Sequence, residues 1–184
     1  MRRLVAVLLA LAPAAALAQS MIPIRLVAGV NVVRDALGPG QHATINLAWR
    51  ENGNAWGYDI YSVSVRGSIA TIDGRDVITD QPHVGEDMIK SVRFARASFK
   101  GRPAIMLLQA ERHIDASTYD PARTTISAYV LQRNTGGLGT TYEFVPIRRY
   151  LARRLYCNAE MALKIEEGLD LPRSYSGPMT STGC

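Results

Sequence analysis

Two dipeptides, Asn52-Gly53 and Asp73-Gly74, constrain this chain's fold more than any other feature. Asn-Gly and Asp-Gly between runs of β-branched and aromatic residues are the strongest two-residue hairpin signals, because both central residues of a type I′ turn need positive φ. Lys100-Gly101 is a weaker third. The runs are "HATINLAWRE", "AWGYDIYSVSV", "GSIATI", "DVIT", "KSVRFARASF", "PAIMLLQAE", "TTISAYVLQR" and "TTYEFVPI". Hairpins join neighbours in space, so the expected architecture is mainly β: an antiparallel, sandwich-like domain of hairpins.

The last quarter of the chain changes period. Met161, Ala162, Ile165 and Leu169 fall at helical spacing, with Asn158 as N-cap, Gly168 as stop and Pro172 beyond. Leu155, Leu151 and Ile147 keep the same period, which predicts a C-terminal helix over about 147–169 and a tail from 170 to 184.

At the other end, Arg2 and Arg3 precede an apolar run, Leu4 to Leu11, and then Ala16-Leu17-Ala18. This is the pattern of a cleaved signal peptide, residues 1–18, and the run is too short to span a membrane. Cleavage leaves 166 residues, expected as one β-rich domain (19–184), with 19 basic and 16 acidic side chains. The expected location is periplasmic or secreted, and a charge of +3 outside the cytosol gives no reason to meet nucleic acid. The two cysteines, Cys157 and Cys184, are expected to form one disulfide there and to pin the tail.

Applied to "WRENGNAWGY", a two-residue turn at Asn52-Gly53 pairs Trp49 with Trp56, Leu47 with Tyr58 and Ile45 with Ile60. The parity change at Tyr61, Val63 and Val65 then calls for a bulge near Asp59 or Ile60. Two readings of the tryptophans stay open. They are core side chains, or they form an aromatic patch rimmed by Arg50, Glu51 and Asn54 that takes a small polar ligand.

The stretch "RLVAGVNVVRDALGPGQHATINLAWRENGNAWGYDIYSV" resembles the N-terminal part of the carbapenem intrinsic-resistance (self-immunity) proteins, mainly over residues 25–65. These small exported bacterial proteins protect a producer from its own β-lactam. The shared residues are Gly29, Asn31, Asp35, Gly38 and Gly40, followed by Arg50, Glu51, Asn52, Asn54 and Ala55. "YCNAEMALKI" is a looser echo near the C-terminus. Trp56 stands where the family often has a histidine. The resemblance implies a non-enzymatic binding or protective protein acting by sequestration or on a partner, with a β-lactam as ligand.

Enzyme motifs are sparse. No serine opens an S-x-x-K pattern, and His42, His83 and His113 form no paired zinc-ligand motif. No metal or cofactor is expected. Leu37 and Pro39 break any calcium-loop pattern after Asp35, so that segment reads as a Gly-Pro-Gly turn. Asp73, Asp76 and Asp80 read as solvated, and Glu86 and Asp87 point to opposite strand faces. "NTGGLGT" reads as a connector. Arg148, Arg149, Arg153 and Arg154 make a basic edge on the expected helix. Two further readings follow: a periplasmic hydrolase with a dispersed site, or a cell-envelope interaction module using that edge.

Overall fold

The structure is a computed structural model and describes residues 21–51, 57–80, 89–118, 120–137 and 139–171. Among the described residues there are ten strands, β1 (Ile22–Pro23), β2 (Gly29–Val33), β3 (Ala43–Arg50), β4 (Tyr58–Val65), β5 (Ser68–Ile72), β6 (Ile78–Thr79), β7 (Lys90–Phe99), β8 (Arg102–Arg112), β9 (Thr124–Arg133) and β10 (Tyr142–Leu151), and one helix, α1 (Ala159–Glu166). The sheet order is β1-β7-β8-β9-β10-β5-β4-β3-β2, with β6 added to β4.

The fold is mainly β, but the expected sandwich gives way to one curled sheet forming a half-barrel. It is mixed, because β10 runs parallel to β5. Local turn chemistry could not foretell that contact, since Tyr142 pairs with Ala70 far back in the chain. The curl shows in the aromatic packing. Phe94 on β7 lies 5.5 Å from Tyr61 on β4, ring to ring, and 6.2 Å from Phe144 on β10. β7 and β4 stand far apart in sheet order, so only a sheet closing on itself brings them together.

The inner face packs Ile45, Val63, Phe94, Leu107, Leu131 and Phe144 into one cluster. The outer face of β8 and β9 packs Met106, Leu108, Ile126 and Ala128 against Ala159, Ala162 and Leu163 of α1. β8 and β9 are therefore covered on both faces, which explains their nearly unbroken apolar runs. Inside that layer sits Arg112, 2% exposed, donating from Nε to the Tyr156 carbonyl at 2.9 Å and from Nη2 to those of Thr118 and Asp120. It clamps the segment before β9 to the approach to α1.

Three hairpins close on left-handed pairs: Arg66-Gly67 (φ 52° and 79°), Asp73-Gly74 (48° and 75°) and Lys100-Gly101 (51° and 75°). Around Asp73-Gly74, Ile72 and Arg75 exchange both backbone hydrogen bonds, at 2.8 and 2.9 Å. This is the geometry that a two-residue loop predicts.

The β3–β4 register differs from the expected one. Leu47 pairs with Tyr61, Trp49 with Asp59 and Arg50 with Tyr58, continuously from Ala43–Val65. A turn at Asn52-Gly53 pairs Arg50 with Ala55 instead; residues 52–56, including Asn54 and Trp56, lie outside the described residues. The observed register puts Ala43 and Ile45 with Val63 and Val65 in the core, and no bulge near Asp59 is needed. Burying a large aliphatic side chain stabilises by about 1.5–3 kcal/mol, so the parity of those residues outweighs one turn preference. The bulge falls elsewhere, between Pro146 and Arg148.

The C-terminal helix is shorter than expected. Residues 147–151 belong to β10, and Ile147 and Leu151 are exposed there. Asn158 does cap α1, its side chain accepting from the N–H groups of Glu160 and Met161, and Gly168 beyond the helix has φ 65°. The buried face also turns relative to the expected stripe: Ala159, Glu160, Ala162 and Leu163 point inward, while Ile165 is exposed. Cys157 is buried just before the cap; Cys184, its expected partner, lies outside the described residues. So do the expected signal peptide and the tail beyond 171.

Candidate functional site

Where the inner cluster meets α1, a cavity of about 370 Å³ opens beside the outer edge of β7. The chain leaving β1 forms one wall, held by the Ile24 N–H donating to the Phe94 carbonyl at 2.8 Å. Ile24, Leu26, Leu47 and Phe94 make it apolar; Asp59, Tyr61, Arg93 and Glu160 supply polar groups. The size and the mixture suit a small ligand with a few fixed polar contacts.

Each polar group is set by its element. Asp59 and Tyr61 lie two apart on β4 and share its inward face with Val63. Asp80 follows β6, which pairs with β4 at Tyr61–Ile78. This short strand delivers the Asp80 carboxylate to the Asp59 N–H, which donates to it at 2.9 Å, and to the Tyr61 hydroxyl, also at 2.9 Å. The Tyr61 hydroxyl is 3.5 Å from Asp59 Oδ2. Arg93 reaches α1 from β7, donating from Nε at 2.9 Å and Nη2 at 2.5 Å to Glu160 Oε1; its Nη1 donates to the Val92 carbonyl.

Burial dominates the electrostatics. It pushes the Asp80 carboxyl up to about 6, against the Asp59 N–H that favours its charge, while the neighbouring Asp59 carboxylate adds to the rise. Asp59 is raised by burial too, offset in part by the Arg93 charge. The Tyr61 hydroxyl is raised by burial and by the Asp80 charge, so it stays a donor. At Arg93 burial opposes the charge, but Glu160 outweighs it and the guanidinium is raised.

Asp80, 4% exposed, is thus not the solvated residue its sequence neighbours suggested, whereas Asp73 and Asp76 are exposed. A carboxyl raised on folding binds its proton more tightly in the native state. Its contribution to stability is therefore lost as pH rises from 3.8, its unfolded value, through about 6. Asp80→Asn removes that loss. The melting temperature of the variant relative to the native protein is expected to climb between pH 4 and pH 8, equivalent to up to about 3 kcal/mol. A difference that stays flat across that range contradicts the assignment.

Of the residues put forward from the sequence as a ligand site, Trp49, Arg50 and Glu51 are described, and none of the three lines the cavity. Trp49 is 61% exposed and not core. Its indole lies across Gly57, where a Cβ would overlap the ring, so glycine there makes room for it. Trp49 pairs with Asp59 and continues the row of Ile45 and Leu47 towards the cavity rim. Arg50 and Glu51 are exposed at the strand end. Among described residues no group of three or more His, Cys, Asp or Glu is placed to hold a metal. His42 accepts from the Asp35 N–H, and His113 Nε2 is 2.6 Å from the Thr125 hydroxyl. Asp35 itself accepts from the Gly40 N–H, closing the Gly-Pro-Gly loop. His83, Glu86 and Asp87 lie outside the described residues.

The basic edge is not helical. Arg148 and Arg149 lie on β10, and Arg153 and Arg154 on the loop after it. Arg148 pairs with Glu167, Glu166 accepts from the Arg153 backbone N–H at 3.1 Å, and Arg149, Arg153 and Arg154 are exposed.

Arg93 and Glu160 were missed by sequence reasoning. The available signal was one charge inside each of two apolar runs, "SVRFA" and "NAEMAL". Opposite charges in buried rows pair far more often than they stay single.

A curled mixed sheet with one helix packed on its outer face, and a polar-tipped cavity where the two meet, defines the class of fold. A crystal structure of CarG has a similar fold: TM-score 0.61, over 85% of this chain and 99% of that chain, at 16% identity. No protein-family model matches the chain, and no curated protein matches it. Among the described residues, no helix is long and apolar enough to cross a membrane.

Proposed function

We propose that this is an exported, non-enzymatic protective protein that acts by sequestering a small polar ligand, a β-lactam, in the cavity beside β7, or by binding a partner. The cavity carries the reading: an apolar wall of ligand size with Tyr61, Asp59, Arg93 and Glu160 converging on it. The resemblance of residues 25–65 to carbapenem self-immunity proteins and the fold likeness to CarG support the same direction. The cleaved leader and a Cys157–Cys184 disulfide belong to this proposal.

Thermal unfolding with imipenem tests it. At a hundred times Kd a ligand stabilises by about 2.7 kcal/mol, an expected rise of roughly 5–10 °C for a chain of this size. No rise at millimolar imipenem overturns the proposal, and turnover of imipenem by the pure protein replaces it with the hydrolase reading.

A second reading, an envelope interaction module, is favoured by one surface. Leu151 (54% exposed) and Leu155 (49%) flank the open Arg149 and Arg154. Its expected mark is retention on anionic vesicles that is lost at high salt.

A further inference from the structure

One group at the cavity is left without a partner among the described residues. Glu160 lines it and is 2% exposed. Oε1 accepts both Arg93 hydrogen bonds, but Oε2 has no hydrogen-bond partner among the described residues. A buried carboxylate oxygen left unpaired is costly, and the donor that completes it must come from elsewhere. Arg93 already directs Nε and Nη2 to Oε1 and Nη1 to the Val92 carbonyl. The Tyr61 hydroxyl donates to Asp80. On the same cavity Asp59 adds a second carboxylate and Asp170 a third, against Arg25 and the engaged Arg93. Acceptors for charge therefore exceed donors.

We infer that the cavity takes an organic cation: a ligand whose protonated amine or amidine donates to Glu160 Oε2, with Asp59 adding attraction and its apolar part against Ile24, Leu26, Leu47 and Phe94. An anionic group in that place meets Glu160 and Asp59 while Arg93 is already neutralised. The inference rests on reading this cavity as the ligand site and adds the charge of the ligand group that enters it. For β-lactams it selects those carrying an ammonium or amidine side chain.

Calorimetric titration of the intact protein with two matched pairs tests it. Benzylamine and benzyl alcohol share size and ring; ampicillin and benzylpenicillin differ by an α-ammonium group. Benzylamine is expected to bind at least about tenfold more tightly than benzyl alcohol, the span of a charge-assisted bond over a neutral one. Glu160→Gln, checked for native circular dichroism, is expected to erase that ratio. Asp59→Asn leaves the Arg93–Glu160 pair in place and is expected to reduce it, which keeps the test open if Glu160→Gln does not fold. Equal affinity for amine and alcohol, no binding of benzylamine, or a ratio unchanged in both variants overturns the inference. Equal, tight binding of the two penicillins overturns it while the β-lactam reading stands. A benzylamine preference without binding of either penicillin or imipenem supports it and removes the β-lactam reading.

Discussion

Glu160→Ala is expected to destabilise the protein by about 3–5 kcal/mol, the usual effect of removing one partner of a buried ion pair. For a chain of this length that lowers the melting temperature by roughly 6–20 °C. The physical reason lies on β7. Arg93 stays between Val92 and Phe94, both 1% exposed, and its guanidinium loses the carboxylate that holds its charge there. Glu160 also stands in the first turn of α1, where a negative charge faces the helix N-terminus. The double variant Arg93→Met, Glu160→Gln is expected to recover most of the loss, because no uncompensated charge then remains. Additive losses in the double variant contradict a coupled pair. Urea unfolding of the native protein, Arg93→Met, Glu160→Gln and the double variant gives the coupling energy directly.

Phe94→Ala is expected to cost about 3–5 kcal/mol. Phe94 touches Tyr61 on one side and Phe144 on the other, so it joins the two ends of the curled sheet. Its neighbours Ile105 and Leu107 lie on a long strand paired along its full length and have little freedom to refill the space. The loss is therefore expected near the top of that range, with a dry cavity beside the proposed site. A loss under about 1 kcal/mol would mean that the curl does not depend on this ring.

β7 and β9 were legible to the residue: the Lys100-Gly101 turn ends the β7 run, and β9, covered on both faces, writes itself as a β-branched and aromatic run. Asp73-Gly74 and Lys100-Gly101 were legible because a left-handed pair selects its residues. The β3–β4 register was not. Tyr61, Val63 and Val65 shared the parity of Ala43, Ile45 and Leu47 all along, and the apparent need for a bulge was the trace of a register set three residues too early. Ile147, Leu151 and Leu155 kept a helical period by coincidence: the first two lie on β10, which bulges after Pro146, Leu155 lies on the loop beyond it, and all three are exposed. The site was the least legible part. Arg93 and Glu160 stand 67 residues apart, and only the packing of α1 on β7 makes them neighbours. Asp80 looked like one of three surface carboxylates until β6 carried it under Tyr61.

Amide chemical-shift mapping of the isotope-labelled protein during titration with imipenem tests the central claim most directly. Saturable shifts centred on Leu26, Tyr61, Phe94 and Glu160, around the cavity beside β7, are expected. Saturable shifts confined to Arg149, Arg153 and Arg154, or no shifts at millimolar imipenem, would contradict it.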